Sequence, residues 1–190
     1  MANTSATGGF LTLTSEITRQ DRERIIHDII CALCGLPNEL VRPRWQPIPA
    51  QQPPHDINWC AFGFMEGQTE VNPAFIFPTD NNGNTKLIEY ETADLLCTFY
   101  GKDAYELAGQ LRASLLFQQN RDTLYNNGMS IKQIGKRSRS ADLVNSKFIQ
   151  TVELHIYINI ELIRQAQVYN YLGSNGEIIK NQEVRRKWQV

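Results

Sequence analysis

The chain lacks any apolar run near the roughly 20 residues that would cross a bilayer as a helix, so no membrane partner is expected. It lacks an excess of charge: 19 Lys and Arg stand against 20 Asp and Glu, a net −1. No global field therefore draws it to nucleic acid or to an anionic surface. It has only four cysteines, at 31, 34, 60 and 97, all in apolar surroundings typical of buried free thiols. Residues 1–9 have no basic start and no apolar segment, so no secretion signal is read and a reducing cytosol is the expected setting. It has no GxxxxGK or GxGxxG phosphate loop, no HExxH and no GxSxG. Its three histidines, 27, 55 and 155, fall in unrelated segments. No cofactor, no metal and no catalytic residue is expected.

What is present is a long alternation. From Phe148 to Leu162 every second residue is apolar except Gln150: Phe148, Val152, Leu154, Ile156, Ile158, Ile160 and Leu162. The interleaved face carries Glu153, His155, Tyr157, Asn159 and Glu161. A period of two predicts a half-buried strand over 148–163. At about 3.3 Å per residue it would reach roughly 50 Å, against a radius of gyration of roughly 16 Å for a domain of this size. Such a strand bends or projects, and a projecting strand needs a partner for its edges. That points to assembly rather than to a self-contained enzyme.

The rest of the chain predicts one domain over 14–190, preceded by a flexible arm over 1–13. A first helix is expected from Thr14 to Leu36, capped by Thr14 or Ser15, with an apolar stripe through Ile26, Ile29, Ile30 and Leu33 and a stop at Gly35 and Pro37. Residues 37–54 hold six of the eight prolines and form an extended connection pinned by Trp45 and Ile48. A strand over 57–66 is followed by a turn at Asn81-Asn82-Gly83-Asn84 and a strand over 86–100. A second helix over 102–126, with Asp103 as cap, leads to a strand over 129–136 and a loop over 136–147. A turn at Ser174-Asn175-Gly176 lies near the C-terminus. The order α-β-β-α-β-β predicts a single two-layer α+β domain: a mixed, mostly antiparallel sheet, two main helices and a long projecting β-hairpin.

Three clusters invite a chemical reading. Glu89 and Glu91 share a strand face and could form a carboxylate pair for acid–base or Mg²⁺ work, although no third ligand has a recognisable spacing. An acidic strand face meeting a basic neighbour is the simpler reading. Glu153 and His155 could be imagined as an acid–base pair, but a solvated or interface face suffices. Cys31 and Cys34 have CxxC spacing without a second pair or histidines to complete a zinc site. The hairpin tip carries Lys136, Arg137, Arg139 and Lys147 against Asp142, a positive finger for nucleic acid or for an acidic neighbour.

Ile29-Ile30-Cys31-Ala32-Leu33-Cys34-Gly35-Leu36-Pro37, then Val41-Arg42-Pro43-Arg44-Trp45-Gln46-Pro47, then Asn58-Trp59-Cys60-Ala61-Phe62-Gly63, resemble the phage neck and tail terminator family. The later order of strand, helix, basic hairpin and long strand is similar in kind. The resemblance implies a non-enzymatic virion component, assembled in the host cytoplasm, that forms a hexameric ring at the head-proximal end of the tail tube. Its partners would be other copies of itself, the tube protein below and a neck or connector protein above. The polar face at Glu153, His155, Tyr157, Asn159 and Glu161, with Glu89 and Glu91, is the expected contact between copies. In a ring the four basic residues of the tip would form a collar facing the channel, touching DNA without sequence preference. The alternatives are another neck or portal adaptor ring, a small hydrolase or nuclease using Glu89 and Glu91, and a nucleic-acid module using Arg137 and Arg139.

Overall fold

A reciprocal cap between Thr18 and Asp21 starts the first helix, α1 (Arg19–Cys34). The Asp21 N–H donates to Thr18 Oγ1 at 3.2 Å, and the Thr18 N–H donates to Asp21 Oδ2 at 3.1 Å. The Thr18 hydroxyl, which donates to Asp21 Oδ2 at 2.6 Å, and the Thr18 N–H together hold the Asp21 carboxyl below its usual range. The start expected at Thr14 or Ser15 is thus corrected, because those residues form a short strand, β1 (Thr14–Ser15). Ile26, Ile30 and Cys34 are the buried stripe of α1, and Gly35 ends it at φ 65°, the left-handed position expected of it.

The computed structural model describes residues 8–15, 17–46, 51–69, 72–77, 84–144, 147–168, 175–180 and 183–189. The turn expected at 81–83, most of the arm at 1–13, and Pro47 to Ala50 of the proline-rich connection lie outside those residues, as does Ser174. The remaining strands are β2 (Val41–Pro43), β3 (Trp59–Thr69), β4 (Ala74–Ile76), β5 (Asn84–Tyr100), β6 (Met129–Val144), β7 (Lys147–Gln167), β8 (Asn175–Lys180) and β9 (Glu183–Gln189). Asn175 and Gly176, expected in a turn, open β8, which pairs with β9 in a sheet of its own.

β7 is the spine of the main sheet. Its 21 residues would extend about 70 Å if straight. One edge pairs antiparallel with β5 from Tyr100↔Thr151 to Asn84↔Gln167. The other edge pairs with β6 from Met129↔Ile160 to Val144↔Lys147, and farther along with β1 at Thr14↔Gln165. The far edge of β5 carries β3 and then β4, and β2 lies parallel to β3 beyond. The sheet is mixed and mostly antiparallel, and the fold is α+β as expected.

Even-numbered residues of β7 and odd-numbered residues of β5 share a face because they pair directly, as in Leu154↔Cys97 and Ile156↔Leu95. That face, with Cys60, Phe62 and Phe64 of β3, packs under α1 and under α2 (Ala104–Ser114), through Ala104, Ala108 and Leu111. α3 (Gln118–Tyr125) adds Leu124. One helix was expected over 102–126, but two form. Asn120 Nδ2 donates to the Ser114 carbonyl and Arg121 Nε to the Leu115 carbonyl, both at 2.7 Å. These side chains satisfy carbonyls that a continuous helix would have used, so the chain turns at 115–117. Asp103 occupies the cap position of α2, yet its carboxylate accepts from Asn58 Nδ2 at 2.8 Å rather than capping the helix.

Candidate interaction surfaces

The face of the sheet turned away from the helices is polar and internally bonded. Asp94 of β5 and His155 of β7 meet at 2.8 Å. Thr92 Oγ1 donates to Asn159 Oδ1 at 2.9 Å, and the Tyr90 hydroxyl reaches Glu161 Oε1 at 3.5 Å. Glu153, His155, Tyr157, Asn159 and Glu161 are all half-buried here, so the five expected contact residues share one ordered, wet surface. Toward its other end this face is covered: Arg44 bonds Thr98, Trp59 stacks on Tyr100 at 4.1 Å, and Trp45 lies over Gly63, where an added Cβ would come within 2.5 Å of the indole ring. The expected pinning role of Trp45 is visible there; Ile48 lies outside the described residues.

Glu89 and Glu91 are not on that face. Their register partners are Leu162 and Ile160, which places them on the helix side of the sheet. Glu89 forms an ion pair with Arg164 of β7, and Glu91 lies against Gly67 of β3. The two halves of the expected contact set therefore look in opposite directions. Arg22 of α1, only 8 % exposed, crosses near Glu91 and donates to the Glu161 carbonyl at 3.4 Å. It lines a cleft of about 450 Å³ between α1 and the start of β6, with Tyr90, Tyr125 and Asn127.

Arg137 and Arg139 are not in a loop. The expected loop over 136–147 is strand, because β6 continues to Val144. Arg137 pairs with Leu154 and Arg139 with Val152, which turns both toward α2. Their guanidinium carbons lie 3.9 and 4.2 Å from the centre of the same Tyr105 ring. Arg137 Nη1 donates to the Tyr105 carbonyl at 3.1 Å and needs Gly109, where a Cβ would approach it to 2.5 Å. Lys136 is exposed, and Lys147 is the first residue of β7. Two more cations stand beside the pair: Lys102 shares a hollow with Tyr105 and Arg139, and Arg112 shares one with Lys136 and Arg137.

The cysteines serve packing. Burial pushes the Cys34 thiol up to about 12, and burial also holds the Cys60 thiol well above its usual range, helped by a hydrogen bond with Cys97. Cys31 is raised by burial and by Asp28. All four are free. No group of three metal-ligating side chains occurs among the described residues.

Two apolar groups escaped the reading of the sequence. Phe75, Ile76 and Phe77 are 60, 50 and 54 % exposed on and just after β4, at one edge of the sheet. Leu116, Phe117 and Tyr125 are 57, 68 and 74 % exposed around α3, which packs against β6 at the opposite edge. The consecutive Phe75-Ile76-Phe77 was a signal available in the sequence; the α2–α3 elbow was not.

No curated protein matches the chain. Residues 20–183 match the family described as phage neck terminator protein, a span that holds all but the first residue of α1 and the strands β2 to β7, including the hairpin of β6 and β7. With nearly all of its described fold inside that match, the chain belongs to the phage neck terminator family, structural proteins of the virion that associate with other phage tail and neck proteins.

Proposed function

We propose that the chain forms a closed ring, a homo-hexamer, at the head-proximal end of the tail tube, where it stops tube polymerisation and joins the tail to the neck. The observation that carries this reading is the pair of exposed apolar groups on opposite sheet edges. A patch at Phe75, Ile76 and Phe77 and a different patch at Leu116, Phe117 and Tyr125 are not self-complementary. A contact between unlike surfaces repeats head to tail and closes into a ring when the rotation allows. Clusters of exposed large apolar side chains mark such contacts. The polar face at Glu153, His155, Tyr157, Asn159 and Glu161 supplies a second, wetter contact for the next copy or for the neighbouring tube and neck proteins. Glu89 and Glu91 flank that contact from the helix side. Assembly takes place in the host cytoplasm, before the tail joins the head.

Native mass spectrometry of the purified chain tests the ring. Six copies are expected, and a monomer at micromolar concentration would overturn the reading. In phage lacking the chain, electron microscopy should show tails of uncontrolled length; tails of normal length would remove the tube-stopping role.

A further inference from the structure

We propose that the surface between α2 and β6 binds the phosphodiester backbone of duplex DNA, without reading its sequence. Five cations line it: Lys102, Arg112, Lys136, Arg137 and Arg139. Two of them converge on one ring, with guanidinium carbons 3.9 and 4.2 Å from the centre of Tyr105. Like charges gathered around one ring repel unless an anion offsets them. Among the described residues, none of the five has a carboxylate within ion-pair distance. Asp103, the acid beside Lys102, is occupied by Asn58 at 2.8 Å.

The geometry favours phosphate. Contact with the ring holds each guanidinium carbon within about 4 Å of its centre, while the N–H groups of an arginine remain a fork suited to an oxyanion. Arg137 is further fixed by its 3.1 Å bond to the Tyr105 carbonyl, so little side-chain freedom remains to be lost on binding. Arg112 lies beside Lys136 and Arg137 on one side of the pair and Lys102 beside Arg139 on the other, which spreads the charge along a line rather than into a single pocket. A linear polyanion matches a line of cations.

Duplex backbone is favoured over single strands. Single-strand binders stack bases on open aromatic faces, whereas Tyr105 is already engaged by two arginines. A second copy of this chain is a poorer partner. The carboxylates Glu89 and Asp94, which it would present from its sheet, are held by Arg164 and His155. The near-zero net charge is no objection, since the field is local and multiplies with each copy. The proposal rests on the ring reading for where the surface meets DNA and for the repetition of its charge.

The test is fluorescence anisotropy of a labelled 20-base-pair duplex of arbitrary sequence with the purified full-length chain, with native mass measured in parallel. The wild type should bind two unrelated sequences equally and weaken about tenfold between 50 and 200 mM salt if two phosphates are neutralised. Arg137→Glu with Arg139→Glu should weaken binding at least tenfold at 50 mM salt at unchanged native mass. Lys102→Glu with Arg112→Glu, both exposed and outside the stack, should do the same with an unchanged melting temperature, which covers the case that the first variant misfolds. Absence of wild-type binding at 50 mM salt, or equal binding by both variants, overturns the proposal. So does a fall in native mass with DNA affinity retained, which would make the surface a contact between copies. A monomeric wild type that still binds duplex through these residues would sink the ring and leave this site standing.

Discussion

His155 Nδ1 lies 2.8 Å from Asp94 Oδ2 across neighbouring strands, on the side of the sheet that no helix covers. The pair is diagonal, offset by two residues, since Asp94 stands directly opposite Tyr157. It gives the polar face of β7 a defined shape before any partner arrives, and makes Tyr157 a sensitive probe of that face.

Tyr157→Asp should weaken the oligomer while the fold persists. A new carboxylate opposite Asp94 adds like-charge repulsion and would be desolvated at a contact. Light scattering should report a lower mass with an unchanged far-ultraviolet circular dichroism spectrum, and Tyr157→Gln should be milder. A variant that unfolds, or that keeps its full mass, would show that this face is not where copies meet.

Phe117→Ser and Phe75→Ser should each lower the native mass with little effect on the stability of the isolated chain. Both side chains are mostly exposed, and surface changes away from buried features usually stay within about 0.5 kcal/mol. Mixing the two variants tests the heterologous geometry, because each retains one intact patch and should form limited mixed pairs rather than rings. Intact rings from either variant alone would remove that patch from the interface.

Ile26→Ala and Ile30→Ala should each cost about 2–5 kcal/mol in denaturant unfolding, as large-to-small changes at residues 2 and 1 % exposed. Cys31→Ser together with Cys34→Ser should cost less, because the Leu107 carbonyl 3.8 Å from the Cys34 sulphur offers a hydroxyl a partner. A metal lost from the double serine variant would overturn the packing role given to these thiols.

Stability should fall at alkaline pH through Cys34. Burial raises its thiol from the ordinary 9.0 to about 12, so above pH 9 the unfolded chain ionises while the folded chain does not. The contribution is whole below pH 9 and is lost between pH 9 and 12, at up to about 1.4 kcal/mol per pH unit. Subtracting the profile of Cys34→Ala isolates this thiol from other groups that titrate there. Identical slopes for the two proteins would refute the assignment.

Gly101→Ala should destabilise by about 1–3 kcal/mol. The residue sits at φ 100°, and an added Cβ would lie 2.8 Å from the Asn58 Cα, a backbone atom that cannot swing aside. The Asn58–Asp103 link at the start of α2 should loosen with it, visible as faster amide exchange in Ala104 to Leu107. A melting temperature equal to wild type would contradict the crowding.

Where local pattern and burial agree, the sequence alone decided the structure. The alternation from Phe148 to Leu162 determined β7, because only a period of two puts Leu154, Ile156 and Ile158 on one face. The 3.6-residue stripe through Ile26 and Ile30 determined α1, and Gly35 its end. The start of α1 was also written locally, in the Thr18–Asp21 spacing, although the polar residues at 14 and 15 competed with it. Other features needed the assembled fold. Arg137, Ser138, Arg139 and Ser140 carry no apolar signal; they are strand because β7 offers a ladder and Tyr105 offers a ring, both distant in sequence. The break between α2 and α3 depends on Asn120 and Arg121 folding back onto carbonyls that any helix would have used itself. The opposite outlook of Glu89 and Glu153 follows from register, which is a relation between strands and is not carried by either one.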